Sequence, residues 1–158
     1  MKIIYYIAYG SNLNLDNFLK RCPSAKILGK TFLQDMALVF KGDGEELGYL
    51  TLENNIGSTI PVGIFEISYF DSLRLDKFEG YPTLYSKKWI SLDLNGRTIN
   101  ALTYVMNPNF NYHLPSLNYF KSCLIGYDYF GFDRKFLIAA VKRTINYVSH
   151  NDDKKSRN

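Results

Sequence analysis

Tyr9-Gly10-Ser11-Asn12 interrupts an apolar, aromatic-rich run that covers residues 3–8, and a helical pattern follows at once. This order predicts a strand, a tight turn and then a helix. Glycine at position 10 permits a positive φ or a close approach of the backbone, and Ser11 and Asn12 can bond neighbouring main-chain groups. Several N–H groups of the turn would then point outward, which suits an anion at the start of a helix. The alternative is an ordinary strand-to-helix turn, so a second feature of the sequence has to decide.

Length and composition predict one globular domain. The chain has 158 residues, of which 46% are hydrophobic and 22% charged, and this is enough to bury a substantial core. We expect a single domain over residues 1–148 and a polar, disordered tail over residues 149–158. Thirteen tyrosines and eleven phenylalanines predict an aromatic interior or an aromatic-lined cavity, because such rings dominate buried area.

Charge, cysteine and histidine content argue against several functional classes. The net charge of +4 comes from scattered basic residues, which is weak support for a nucleic-acid partner. Cys22 and Cys123 are far apart, and neither His113 nor His150 lies near a carboxylate cluster, so we expect no metal and no disulfide framework. The N-terminal apolar run is short and lacks a cleavage site, and nothing approaches the roughly 20 apolar residues of a membrane span. We therefore expect a cytoplasmic protein without a membrane partner.

The strongest local prediction is a β-hairpin, because Asn95-Gly96 separates two runs of strand-forming residues. Glycine and proline divide the rest of the chain into short strands and helices. The predicted strands after residue 8 cover 25–28, 37–40, 47–52, 62–67, 85–94 and 97–106, and the predicted helices cover 15–21, 71–79, 116–126 and 133–148.

The second deciding feature is Glu79, which ends a predicted helix just before Gly80. A carboxylate at a helix C-terminus meets the negative end of the helix dipole, which raises its pKa. The aromatic neighbours Phe78 and Tyr81 would desolvate it further. A carboxylate with such a pKa can take and return a proton near neutral pH. The alternative interpretation is a solvated glutamate without a catalytic role.

Together the two features resemble the γ-glutamylcyclotransferase family, including its AIG2-like and γ-glutamylamine cyclotransferase branches. Tyr-Gly-Ser-Asn-Leu at residues 9–13 is similar to the substrate loop of that family, and Leu-Asp-Lys-Phe-Glu-Gly at residues 75–80 is similar to the segment that holds its acid/base glutamate. Further similar segments follow in the same order, and they include Arg21-Cys22-Pro23, residues 62–67, Leu102-Thr103-Tyr104, and Pro115-Ser116. The resemblance extends over residues 6–131.

The resemblance implies an α+β fold in which a small mixed β-barrel, flanked by short helices, carries one pocket at its mouth. It implies Glu79 as the catalytic residue. The substrate-binding residues that it implies are Tyr6, Ile7, Ala8, Tyr9, Gly10, Ser11, Asn12, Tyr85, Tyr104 and Tyr119. For each tyrosine, packing in the core is the alternative role.

The implied reaction is an intramolecular acyl transfer, of the acyltransferase or lyase class, on a small-molecule γ-glutamyl substrate. The α-amine would attack the γ-carbonyl and release 5-oxoproline with an amine or amino acid, and Glu79 would serve as general acid and base. The substrate carries its own nucleophile, so no cofactor and no metal are expected. Relatives in the family suggest a monomer or a homodimer.

Three other functions stay open from the sequence. They are a noncatalytic module that binds a γ-glutamyl group or a carboxylate, an RNA-binding domain that stacks bases on tyrosines, and an enzyme that removes a γ-glutamyl protecting group from a biosynthetic amine. The leaving group is also open, and the alternatives are glutathione, γ-glutamyl dipeptides, γ-glutamyl-ε-lysine and γ-glutamyl amines. We expect its specificity to come from the rim loops at residues 41–46, 81–86 and 107–114.

Overall fold

The first strand lies inside a six-stranded mixed sheet. The computed structural model describes residues 2–43 and 47–156. The strands are β1 (Ile3–Ala8), β2 (Lys26–Gly42), β3 (Tyr49–Ser68), β4 (Tyr85–Leu94), β5 (Arg97–Met106) and β6 (Asn111–Tyr112). Their order across the sheet is β4-β5-β1-β3-β2-β6. β1 pairs antiparallel with β3 and parallel with β5, so its apolar run is covered by neighbours on both sides.

Four α-helices and one short 3-10 helix accompany the described part of the sheet. The 3-10 helix covers Ser11–Leu13, and the α-helices are α1 (Leu15–Arg21), α2 (Tyr69–Phe78), α3 (Leu117–Phe130) and α4 (Lys135–Ser156). The turn after β1 therefore leads into a helix, as the sequence predicts. None of the described helices is long and apolar enough to cross a membrane.

The predicted α+β fold is confirmed, but the sheet does not close into a barrel. Within the described residues β4 forms one edge of the sheet and β6 the other. β6 has only two residues, and both pair with the end of β2, so it offers little backbone for a further partner. β4 instead faces the first half of β2 across a cleft lined by Phe32 and Ile90 among others.

β2 and β3 are longer than the sequence predicts. The positions where each strand was expected to be interrupted are irregularities in the pairing of two continuous strands. The register shifts between Gln34 and Met36, opposite the segment where a turn was expected. There Asp35 and Gly57 adopt positive φ values of 60° and 89°, and the Gly57 N–H donates to Asp35 Oδ1 at 2.9 Å. Glycine here permits a β-bulge and does not end a strand.

Two helix boundaries differ from the sequence prediction for local reasons. α2 begins at Tyr69, because the Ser68 hydroxyl caps it by accepting from the Asp71 N–H at 3.1 Å. α3 continues past Gly126, where an added Cβ would lie 2.6 Å from the Leu13 backbone. Gly126 thus lets α3 pack closely on the 3-10 helix, and Gly131, with a φ of 68°, ends the helix instead.

The predicted end of the last helix at Val148 is wrong, because α4 continues to Ser156. The described part of the expected disordered tail, residues 149–156, is therefore helical. The loss of the apolar pattern suggested an end, but a helix that packing has already nucleated can continue through polar residues of adequate helix propensity. The apolar pattern marks where α4 packs and does not mark where it ends.

An aromatic core joins β1, α1, β3 and α3, as the composition predicts. Phe18 and Phe65 are fully buried, with ring centroids 4.7 Å apart. Tyr6 stacks on Phe18 at 5.6 Å, and Phe130 meets Phe65 edge-on at 5.9 Å. This packing fixes β1 relative to α1 and therefore fixes the loop that connects them.

Candidate active site

The three successive residues Gly10, Ser11 and Asn12 in the loop after β1 line a cavity. Among the described residues, no acceptor pairs with the N–H of Gly10, Ser11 or Asn12, whereas the next two N–H groups bond back to Gly10 and Ser11. Gly10 has a φ of −131°, so it does not use the positive φ that glycine permits. An added Cβ there would lie 3.5 Å from the Tyr119 hydroxyl, which is an ordinary van der Waals contact, so the described neighbours do not require glycine at this position. The loop therefore has the donor pattern that an anion requires.

Glu79 reaches this loop from the end of α2. It is the C-cap residue of that helix, its N–H donates to the Leu75 carbonyl, and Gly80 follows with a φ of 66°. Its carboxyl accepts from Asn12 Nδ2 at 3.1 Å, although the two residues are 67 positions apart in the chain. The first turn of the chain and the distant carboxylate thus share one site.

The pKa of the Glu79 carboxyl lies near neutrality. Burial raises its pKa from 4.5 to about 7, although the Asn12 hydrogen bond and the nearby Arg21 cation both lower it. Desolvation therefore outweighs both stabilising partners. A carboxyl with this pKa exists in both forms at pH 7, which general acid–base chemistry requires.

Asn12 connects Glu79 to two further side chains. Its Nδ2 also donates to the Tyr6 hydroxyl at 2.8 Å, and its Oδ1 accepts from Arg21 Nη1 at 2.7 Å. Arg21 in turn lies over the Phe78 ring, 3.6 Å from the centroid. Because Arg21 can only donate, it fixes the amide of Asn12 with Nδ2 toward Glu79. Asn12 therefore orients the carboxyl and has no amide hydrogen left for a ligand.

The predicted tyrosines all line the cavity, but most of their hydroxyls are occupied by the protein. Tyr9 donates to the Tyr104 carbonyl at 2.5 Å, and Tyr85 donates to the Leu50 carbonyl at 2.9 Å. Tyr104 donates to Asp76 Oδ1 at 2.5 Å.

The Tyr119 and Tyr6 hydroxyls each accept a hydrogen bond. The Tyr119 hydroxyl accepts from the Leu50 N–H at 3.0 Å. Tyr6 accepts from Asn12, and among the described residues nothing accepts its own hydroxyl hydrogen. Burial raises the pKa of Tyr6, so the hydroxyl stays protonated and can donate to a ligand.

The cavity has an inner and an outer part. The inner chamber, about 30 Å³, is lined by Tyr6, Tyr9, Gly10, Ser11, Asn12, Leu50, Glu79, Tyr85, Tyr104 and Tyr119. The outer hollow, about 300 Å³, is lined by Ser11, Arg21, Tyr49, Phe78, Glu79, Leu84, Tyr85, Tyr119 and Ser122. Ser11, Glu79, Tyr85 and Tyr119 belong to both, so these residues lie where the two parts meet.

Two residues predicted to bind substrate lie outside both parts. Ile7 and Ala8 are buried in the core, with 0% and 1% of their surface exposed. They are consecutive residues at the end of β1, where the strand is buried on both faces, and the Ile7 carbonyl accepts from the Thr103 hydroxyl at 3.0 Å. Only their neighbours in β1 and the loop reach the cavity.

The sequence also missed residues that line or support the cavity. Leu50 and Arg21 are the clearest cases, and only Arg21 stood in a segment that the resemblance had marked. Of the predicted rim loops, the segment at 81–86 contributes Leu84 and Tyr85. The described residues at 41–43 and 107–114 line neither part, and residues 44–46 lie outside the described chain. The described residues contain no group of three or more side chains suited to a metal.

Comparisons with known proteins agree with the geometry. A family model described as gamma-glutamyl cyclotransferase, AIG2-like, matches residues 6–121. A solved structure titled gamma-glutamyl cyclotransferase superposes with a TM-score of 0.77 at 24% identity, covering 85% of this chain and 84% of that one. An uncharacterized protein from Homo sapiens gives a TM-score of 0.75 at 25% identity, with 83% and 82% covered.

A third solved structure extends the likeness in fold. YkqA from Bacillus subtilis gives a TM-score of 0.73 at 21% identity, covering 92% of this chain and 55% of that one. No curated protein matches the sequence significantly.

Proposed function

The chain belongs to the gamma-glutamyl cyclotransferase, AIG2-like family, and from this premise we propose that it cyclises a γ-glutamyl compound with Glu79 as general acid and base. The observation that carries the proposal is the position of one carboxyl with a pKa of about 7 beside a loop of unpaired N–H groups. The products are 5-oxoproline and a released amine or amino acid.

The reaction begins with the substrate folded back against the loop where the inner chamber meets the outer hollow, because the chamber alone is too small for a γ-glutamyl group. The N–H groups of Gly10, Ser11 and Asn12 receive its negative charge, either the α-carboxylate or the developing oxyanion. Each donor to an oxyanion contributes about 2.7–4 kcal/mol in acyl-transfer sites. Holding the amine against the γ-carbonyl makes the attack intramolecular, and this contributes on the order of 7–11 kcal/mol when the approach is well aligned.

Glu79 moves one proton twice. Its carboxylate first removes a proton from the α-ammonium, and the free amine then attacks the γ-carbon. The tetrahedral intermediate collapses when the protonated Glu79 returns its proton to the leaving nitrogen and the bond to that nitrogen breaks. The ring nitrogen then loses its second proton to the released amine, which departs as an ammonium. The group that gives and the group that takes a proton are thus the same carboxyl, which favours a pKa near the working pH.

The Tyr6 hydroxyl completes the site as a neutral donor. Its acceptor position is filled by Asn12, so its hydrogen is available to the substrate. The hydroxyl therefore contributes a hydrogen bond without adding a charge that would compete with Glu79.

The proposal is tested by incubating the purified protein with glutathione, γ-glutamyl-leucine, γ-glutamyl-ε-lysine and γ-glutamyl-putrescine and detecting 5-oxoproline by mass spectrometry. We expect 5-oxoproline from at least one compound, together with a stoichiometric amount of the leaving group. Glu66→Gln is the matched control for Glu79→Gln, since Glu66 lies on β3 outside both parts of the cavity. Tight binding of these compounds without turnover would show a binding module instead of an enzyme.

A further inference from the structure

A groove of about 500 Å³ lies outside both parts of the cavity. It is bounded by the first half of α2 and by the strands β1, β4 and β5. None of the described residues that line it also lines the inner chamber or the outer hollow. The proposed cyclisation therefore gives this groove no role.

Two aromatic side chains are exposed in the groove. Trp89 on β4 has 52% of its surface exposed, and Tyr69 at the start of α2 has 45%. By comparison, Tyr85 and Tyr104 in the cavity have 5% and 2% of their surface exposed. One exposed aromatic residue is ordinary, but two that line the same groove indicate a surface for a ligand.

The groove carries positive charge and no carboxylate among its described lining residues. Its cations are Lys2, Lys87 and Arg97. Lys87 donates to Asp76 at 2.8 Å, but no carboxylate in the described part of the chain lies within 4 Å of the Lys2 or Arg97 cation. Lys2 lies over the Tyr69 ring, 5.9 Å from its centroid. Two cations are therefore available to an anion beside the exposed rings.

The combination of exposed rings and available cations fits a single-stranded nucleic acid. Its phosphates can bind the cations and its unpaired bases can stack on the rings, whereas the bases of a duplex are already stacked. Asn100, which also lines the groove, has an amide that can donate and accept at a base edge. β5 follows the groove from Arg97 to Leu102, a length of roughly 16 Å that accommodates a few nucleotides.

We propose that this groove binds single-stranded nucleic acid, with phosphates at Lys2 and Arg97 and with bases stacked on Trp89 and Tyr69. An acidic peptide would also match the cations, but its carboxylates offer no flat surface to the rings. The four residues are spread from position 2 to position 97, so the basic residues that look scattered in the sequence meet the aromatic ones only in the folded chain. With so few contacts we expect a dissociation constant on the order of 10⁻⁴–10⁻⁶ M, the range of binding without sequence preference.

The test uses the fluorescence of Trp89, which is the only tryptophan of the chain. The purified protein is titrated with decauridylate and with decathymidylate, and we expect a saturable quenching by at least one of them as a base stacks on the indole. Comparison of the two oligonucleotides shows whether the groove prefers RNA or DNA. For two neutralised phosphates we expect the logarithm of the binding constant to fall with the logarithm of the salt concentration with a slope of about −1.4.

Charge variants test the two phosphate contacts separately. Lys2→Gln and Arg97→Gln should each weaken binding and make the salt slope less steep by about 0.7. Lys121→Gln is the matched control, because it changes the net charge equally, and Lys121 is exposed on α3 and does not line the groove. The control should keep the wild-type affinity and slope.

Substitutions of Trp89 test the stacking contact, with binding measured by the anisotropy of fluorescein-labelled decauridylate or decathymidylate, whichever quenches the wild-type protein more. Trp89→Phe keeps a flat ring and should bind within about threefold of wild type. Trp89→Leu keeps an apolar side chain without a π-face, and we expect it to lose at least about fivefold in affinity. Both variants should release 5-oxoproline at the wild-type rate and keep the wild-type circular dichroism, because Trp89 lines neither part of the cavity.

Several results would overturn the inference. The first is the absence of saturable quenching by either oligonucleotide at low salt. Tighter binding of hexaglutamate than of the oligonucleotides would identify a groove for an acidic peptide instead. An equal loss in Lys121→Gln would show a general effect of net charge, and wild-type affinity in Trp89→Leu would exclude stacking. A protein that binds the oligonucleotides but cyclises no γ-glutamyl compound would support this inference and contradict the proposed function.

Discussion

Two carboxylates at opposite ends of α2 have opposite environments. Asp71, in the first turn, is 1% exposed and accepts from the Ser24 N–H at 2.8 Å, from the Ser24 hydroxyl and from Arg74. Burial alone would raise its pKa, but these hydrogen bonds and the Arg74 cation lower it below the usual range. Glu79, at the other end, has one hydrogen bond from a side chain, and burial raises its pKa to about 7.

The contrast shows how the number of hydrogen-bond donors and the helix dipole set the protonation of two carboxylates on one helix. Asp71 lies at the positive end of the helix dipole and has donors enough to stay charged, so it joins α2 to the segment before β2. Glu79 lies at the negative end with too few donors to offset its desolvation. The first carboxylate therefore contributes to stability, and the second can exchange protons at a cost in stability.

The largest expected effect separates the two acids by activity. Glu79→Gln keeps the shape and removes the exchangeable proton, so we expect turnover to fall by about 10²- to 10⁴-fold. Asp71→Asn should keep near wild-type turnover per folded molecule, since Asp71 lines neither part of the cavity. The measurement is the rate of 5-oxoproline release, normalised to the folded fraction by circular dichroism. Comparable losses of turnover in both variants would show that the two carboxylates do not differ in their effect on catalysis.

The second prediction concerns stability. Asp71→Asn removes a charged acceptor from buried donors, and we expect it to lower the free energy of unfolding by about 1–3 kcal/mol at pH 7. Because the folded pKa of Asp71 is lowered, its contribution is present above the ordinary value of 3.8 and is lost as the pH falls. Urea unfolding at pH 7 and pH 3 measures both statements. An equal difference at the two pH values would argue against a role for the charge.

Glu79→Gln is expected to change stability in the opposite direction. The folded pKa of about 7 exceeds the ordinary 4.5, so the wild-type protein loses stability as the pH rises through this interval. At pH 4 both side chains are neutral, and the two proteins should be equally stable. At pH 8 the variant should be more stable by about 1–2 kcal/mol, after allowance for solvent screening. A variant less stable than wild type at pH 8 would contradict the desolvation of Glu79.

The smallest expected effect is on the pH dependence of activity. Arg21 lowers the pKa of Glu79, so Arg21→Met should move the acid limb of kcat/KM to higher pH. Arg21→Lys keeps the charge and should move it less. The measurement is a pH–rate profile with one γ-glutamyl substrate. A limb that moves to lower pH would show that Arg21 does not stabilise the carboxylate.

Local sequence patterns predicted those parts of the fold and the site that depend only on residues close together in the chain. The Asn95-Gly96 hairpin has the predicted bounds of β4 and β5, because a two-residue turn fixes the register of its strands. Local sequence also predicted the strand, turn and helix at residues 3–21. It predicted as well that Glu79 lies at a helix end.

Long-range packing determined what the sequence did not predict. The connection from Arg21 through Asn12 to Glu79 depends on how α1 and α2 meet, and no spacing in the chain encodes it. Gly126 resembles a helix-ending glycine in the sequence, but it allows close packing against Leu13, which is more than a hundred residues away in the chain. Ile7 and Ala8 lie next to site residues in the sequence, but both are buried because the end of β1 is covered on both faces.

The most direct test is a carbon NMR titration of the Glu79 carboxyl, assigned by its absence in Glu79→Gln. The structure leads us to expect a pKa of about 7 and a change in the resonance when 5-oxoproline binds. A titration near the ordinary value of 4.5, with no response to 5-oxoproline, would mean that the carboxyl is open to solvent and does not carry the proton.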